Sequence, residues 1–173
     1  MKDDNWSRID LGTDKVLNCI VGNDQGEVVV AGEKGVARML KDEEWRKINM
    51  SSSTNIHGVW FSPSGELFAA SGKFDNPVKY PGTIWQFDGE AWVELAAAEG
   101  DILYGIHGNS KGTIYAVGSV RDENKTMRPV AWKGENGTWT RTQFDKSTGM
   151  LRGVKCLSSN KCYAFGDSIF FEL

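Results

Sequence analysis

Apolar and polar residues alternate along the chain in short runs that small, polar or glycine-containing turns interrupt. The run Thr113-Ile-Tyr-Ala-Val-Gly118 is the clearest, and Gly26-Glu-Val-Val-Val-Ala-Gly32 has the same form. A two-residue period with β-branched and aromatic enrichment predicts half-buried strands. Only Ala96–Gly100 suggests a helical turn, ended by Gly100.

The runs recur as a unit. Leu17-Asn-Cys-Ile-Val-Gly aligns with Ile56-His-Gly-Val-Trp-Phe, Leu103-Tyr-Gly-Ile-His-Gly and Leu151-Arg-Gly-Val-Lys-Cys. Each is followed by a polar turn and a second run: Gly26–Gly32, Gly65–Ser71, Gly112–Gly118 and Asn160–Gly166. Such pairs predict hairpins. A third run follows at Val36–Leu40, Thr83–Phe87, Val130–Lys133 and Ser168–Leu173, and a fourth begins at Trp45, Trp92 and Trp139. The tryptophans at 6, 45, 92 and 139 are spaced by 39, 47 and 47 residues, and the opening apolar residues at 17, 56, 103 and 151 by 39, 47 and 48. A period of about 40–50 residues with four strands per unit predicts the blades of a β-propeller.

The expected fold is therefore all-β, a four-bladed propeller within one domain over residues 1–173, with blades near 17–48, 56–95, 103–142 and 151–173. The fourth copy stops after its third strand, and Trp6–Leu11 matches the missing fourth. That pairing predicts that the N-terminal strand closes the C-terminal blade of the same chain, which removes an open edge. Strand exchange, or head-to-tail association into an eight-bladed ring, is the rival arrangement. Residues 1–5 are expected to be disordered. The four periodic tryptophans are expected to pack between blades.

These motifs, an apolar-x-Gly-apolar strand, a (Phe/Tyr)-Ala-x-Gly strand and a Trp-x-x-apolar strand, resemble bacterial β-propeller repeats of the Asp-box, Kelch-like and photosystem-assembly-factor type. The likeness covers nearly the whole chain in degenerate form. Asp88-Gly-Glu-Ala-Trp92 and Glu135-Asn-Gly-Thr-Trp139 keep only part of an Asp-box. The resemblance implies a fold and leaves the function open.

Composition narrows the partners. The net charge of −3 gives no basic footprint for nucleic acid. No run of about 18 apolar residues predicts a membrane helix. Met-Lys-Asp-Asp-Asn has no apolar core of a signal peptide, so a cytoplasmic location is expected. Three cysteines do not make a secreted framework. Cys156 and Cys162 flank one hairpin and are either a disulfide or two buried thiols. Cys19 stands where the other copies have Gly58, Gly105 and Gly153, and is expected to pack against a neighbouring blade.

Two insertions carry the functional reading. Lys73–Pro81 and Val120–Pro129 interrupt successive blades between their second and third strands, which places both on one face of a propeller. Loops on a rigid scaffold are where binding concentrates. The candidates in the first are Lys73, Phe74, Asp75, Lys79 and Tyr80. Those in the second are Arg121, Asp122, Met127 and Arg128. A separate ring of equivalent positions, Asn18, His57, Tyr104 and Arg152, should converge at the channel mouth. It either holds a small anion or sugar-like ligand or bonds neighbouring blades and water.

The two histidines lack companions at ligand spacing, so neither a metal nor another cofactor is expected. No nucleophile, phosphate-loop or dinucleotide motif is present, so no catalytic residue is assigned. The leading expectation is a non-catalytic binding or protein-interaction module, taking a protein or a small polar ligand and remaining monomeric. The alternatives are a small carbohydrate-active or lyase-type enzyme, for which Asp75, Asp122 and Glu123 are the nearby carboxylates, and a structural subunit of an assembly.

Overall fold

A computed structural model describes residues 6–173; the expectation for residues 1–5 lies outside them. The strands are β1 Leu17–Gly22, β2 Val28–Gly32, β3 Ala37–Lys41, β4 Glu44–Lys47, β5 Ile56–Phe61, β6 Leu67–Ser71, β7 Gly82–Phe87 and β8 Trp92–Ala98. They continue as β9 Asp101–Gly108, β10 Ile114–Arg121, β11 Met127–Glu135, β12 Thr138–Gln143, β13 Leu151–Ser158, β14 Lys161–Gly166 and β15 Ile169–Glu172. One 3₁₀ turn, Glu33–Gly35, joins β2 to β3.

These strands form four antiparallel sheets in simple sequence order, β1–β4, β5–β8, β9–β12 and β13–β15. Each sheet is one repeat, so the all-β, four-bladed propeller architecture read from the period is the one observed. The innermost strands stack in succession, β1 on β5, β5 on β9 and β9 on β13. Between them lie three apolar layers. Val29, Ala31 and Met39 of the first blade meet Val59, Leu67 and Trp85 of the second. Phe68, Ala70 and Ile84 then meet Leu103, Ala116 and Trp132. Tyr115, Val117 and Ala131 meet Leu151, Val154 and Ala164.

The glycine that recurs in the inner strands, Gly58, Gly105 and Gly153, explains how close the blades come. A Cβ on Gly58 would lie 2.9 Å from the Tyr104 carbonyl oxygen, and one on Gly105 would lie 2.9 Å from Gly153 Cα. Only a residue without a side chain allows backbones to pass at that distance. Cys19, at the same position of β1, is half-buried against the first layer, and its thiol donates to the Ala31 carbonyl at 3.6 Å.

Three expectations are corrected. Trp6–Leu11 forms no strand, and the last sheet has three strands. Arg38 is the cause. Its Nε donates to the Leu11 carbonyl at 2.9 Å and its second terminal nitrogen to the Gly12 carbonyl at 3.2 Å, which holds the segment beside the first blade. Trp6 is 98% exposed, while the periodic Trp92 is buried and donates to the Ile48 carbonyl of the preceding blade at 2.6 Å. No packing comparable to that between successive inner strands joins β13 to β1. The chain therefore does not close on itself through its N-terminal strand.

The second correction is Ala96–Ala98, which extends β8 and is not helical, because Ala96 and Ala98 pair with Ile84 and Gly82. The third is the insertion at Val120–Pro129. It is mostly a lengthened β10–β11 hairpin, paired from Ser119 with Pro129 to Arg121 with Met127, and only its tip is irregular. Lys73–Pro81, by contrast, contains no strand, as its prolines require.

Cys156 and Cys162 face each other across β13 and β14 and are joined as a disulfide.

Candidate functional site

The inner strands all begin at the face to which the second-to-third-strand connections return. At that face the structure brings the four equivalent residues of the repeat into a row crossing all four blades. Asn18 Nδ2 donates to the Ile56 carbonyl at 3.0 Å. The neighbouring His57 ring lies 5.1 Å from Tyr104, whose ring lies 5.2 Å from the Arg152 guanidinium. Arg152 Nε donates to Asp167 Oδ1 at 3.2 Å. Asn18 thus bonds the neighbouring blade, while His57 and Arg152 bond Gly72 and Asp167 of their own blades.

The His57 Nε2–H donates to the Gly72 carbonyl at 3.1 Å. Burial lowers its pKa from the ordinary 6.5, against a smaller opposing effect of the Gly72 bond. Burial likewise raises the Tyr104 phenol, which Arg152 partly offsets.

The insertions adjoin this row and each other. The Arg121 guanidinium, at the end of β10, lies 4.9 Å from the Phe74 ring centre. Within the first loop, the Lys73 and Lys79 ammonium groups lie 4.3 and 5.3 Å from the Tyr80 ring centre. Phe74 and Val78 stay exposed. The wall thus presents cations set on aromatic rings, a surface suited to a carboxylate and to apolar side chains together.

Asp122 and Arg128 serve another purpose. Arg128 Nε pairs with Asp122 Oδ2 at 2.8 Å, and its terminal nitrogen reaches the Asp145 and Ser147 carbonyls at 3.0 and 3.2 Å. These bonds fix the hairpin tip and the connector to the fourth blade. The Arg128 bond holds the Asp122 carboxyl below its ordinary range. Met127 is half-buried in β11, while Asp75 and Glu123 are exposed loop carboxylates.

Two arrangements were not anticipated. Asp101, fully buried at the start of β9, accepts from Trp132 Nε1 at 2.9 Å and from Arg141 Nε and a terminal nitrogen at 2.8 and 2.6 Å. It knots three strands of one blade, yet no local pattern marks an Asp as the partner of residues 31 and 40 positions away.

The other is an open pocket of about 420 Å³ at the opposite face, which the first-to-second-strand turns of all four blades line. Asn23, Asp24, Trp60, His107 and Ser158 are among its lining residues. His107 Nε2 lies 2.9 Å from Lys155 Nζ, and its Nδ1 lies 3.3 Å from the Cys156 N–H. Burial first, and Lys155 second, lower the His107 pKa. The equivalence of the turns gave the signal, because four hairpin tips of one ring-like stack must converge.

No family model matches the chain, and no curated protein matches it. Solved structures do. The chain is similar to a structure described as YCF48 bound to D1 peptide, with a TM-score of 0.64, 14% identity and coverage of 90% of this chain and 50% of that one. It is similar also to YCF48 from Cyanidioschyzon merolae, with a TM-score of 0.59, 10% identity and coverage of 89% and 49%. The chain thus spans about half the length of the structures it matches. At these identities the likeness is one of fold, and it places this chain among β-propeller structures.

Proposed function

We propose that this chain is a non-catalytic protein-interaction module whose partner lies across the face carrying the Lys73–Pro81 loop and the β10–β11 tip. The observation that carries the reading is the contact between Arg121 and Phe74, which joins the two insertions into one wall. That wall starts at Lys73, next to Gly72, whose carbonyl His57 of the row bonds. Aromatic rings under cations, exposed at Phe74 and half-buried at Tyr80, fit an extended polypeptide segment that offers a carboxylate and an apolar side chain. The YCF48 structure with its D1 peptide supports the reading by showing that a fold of this kind accommodates a peptide.

A photo-reactive amino acid in place of Phe74 tests the proposal, with the same group in place of Val93 on an outer strand as control. Cells of the source organism carrying the first form should yield a cross-linked polypeptide that the second does not. Adding Tyr80→Ala and Arg121→Ala should abolish the product. Equal labelling from both positions, or no product from position 74, removes the face from consideration.

A further inference from the structure

The repeat gives every blade two faces. Positions such as Phe68, Ala70 and Ile84 turn toward the following blade. Positions such as Val59, Leu67 and Trp85 turn toward the preceding one. Three times in this chain a following face meets a preceding face. At the two ends the same faces meet no other blade, and on the first only Arg38 is covered, by Leu11 and Gly12. By register, the fourth blade has Tyr163, Phe165 and Phe170 where the second has Phe68, Ala70 and Ile84. Phe165 is 54% and Phe170 68% exposed, and Phe170 stacks on Tyr163 at 5.4 Å. On the first blade Ile20, at the position of Val59, is 70% exposed. Large apolar groups gathered at blade-stacking positions mark an interaction surface.

A second, independent observation says what covers them. In the second, third and fourth blades, the strand directly preceding the inner strand in sequence is the fourth strand of the blade packed on the preceding face. By that rule, the blade that covers Ile20 receives Trp6–Leu11 as its fourth strand. The segment already lies beside the first blade, tied there by Arg38, with Trp6 and Ile9 exposed. The one three-stranded sheet among the described residues is the fourth blade, whose β15 edge is free.

We propose that two copies of this chain associate head to tail. The fourth blade of each stacks on the first blade of the other and takes its Trp6–Leu11 segment as an outer strand, so that twice four sheets close one ring. Both junctions repeat the interface already formed three times within the chain. They bury Ile20 against Phe165 and Phe170, and they seat Trp6 at the position of Trp45, Trp92 and Trp139.

Native mass spectrometry and light scattering on the full chain test this. The expected mass is twice 19.2 kDa. Ile20→Asp and the double change Phe165→Asp, Phe170→Asp should each halve the mass while leaving the circular dichroism unaltered. Mixing the two variants should restore a dimer containing one of each, because one retains an intact fourth blade and the other an intact first blade. A single-chain mass for the unaltered protein overturns the proposal, and that measurement stands even where a variant fails to fold. So does a dimer that survives Ile20→Asp, which would mean that two fourth blades pack on each other. Failure of the mixed variants to associate, or growth into long polymers, overturns the head-to-tail ring. None of these changes touches the loop face, so their outcome is separable from the cross-linking result.

Discussion

Asp101 shows how much one side chain can hold. It is wholly buried and accepts every hydrogen bond that Trp132 and Arg141 direct at it. Removing one partner of such a group leaves the others unsatisfied. Asp101→Ala should therefore cost about 3 kcal/mol, seen as a lower midpoint in urea with an unchanged slope. Leu103→Ala, in the same strand, would cost a similar amount by leaving a cavity, so the double change Asp101→Ala, Arg141→Met is the sharper comparison. It should recover part of the loss if the unpaired guanidinium is the cause.

The histidines give the stability a direction with pH. Both are held below the ordinary pKa of 6.5 in the folded chain, principally by burial. The unfolded chain then binds more protons as the pH falls through that value, so the stabilisation is present above about pH 6.5 and lost below it. Thermal midpoints should fall between about pH 7.5 and 5.5, above the range where most carboxylates titrate. The double change His57→Gln, His107→Gln should flatten that fall.

Cys19 is a further residue-scale case. Burial pushes its thiol up to about 12, so almost no thiolate forms near neutral pH. A thiol reagent should label no cysteine in the native protein. It should label one in urea, and three once Cys156–Cys162 is reduced.

At the scale of the element, the backbone-to-backbone passage of the inner strands sets the stiffest condition. Gly105→Ala would push a Cβ to within 2.9 Å of Gly153 Cα, where no flexible side chain can yield. The expected loss is about 1–3 kcal/mol, as for other overpacked cores, read from the thermal midpoint. The same scale shows what the sequence makes legible. The hairpins could be read because a two-residue apolar period and a glycine turn are local signals, as at Thr113–Gly118. The β10–β11 extension could not, because Arg121, Met127 and Arg128 carry no such alternation, and their pairing continues from the strands below. Ala96–Ala98 joined β8 for the same reason: the partner strand overrode a weak helix preference. The binding candidates were half legible. Adjacency of Phe74 and Arg121 followed from loop position. The diversion of Asp122 and Arg128 into one ion pair required knowing where the connector at Asp145–Ser147 runs.

For the whole molecule, the period revealed four blades but not where a fourth strand would go. Trp6–Leu11 has the right sequence for an outer strand, and sequence likeness cannot say which sheet edge lies within reach. Arg38 decides it, standing where the register of the second and third blades has Trp85 and Trp132. An Arg at an apolar stacking position needs carbonyl partners, and Leu11 and Gly12 provide them. Arg38→Trp should restore the repeat and release the segment. Limited proteolysis should then cut nearer Leu11 and Gly12 than it does in the unaltered protein.

The order of the sheets has one more consequence. Within each sheet the strands pair in sequence order, and the second, third and fourth blades each pack on the one before. A chain emerging from the ribosome can therefore finish each unit before the next is synthesised, with little loop-closure entropy to overcome. In a single chain released by Ile20→Asp, unfolding should run in reverse and fray from the outer units inward. Amide hydrogens of β5 and β9 should then exchange last, and those of β15 first.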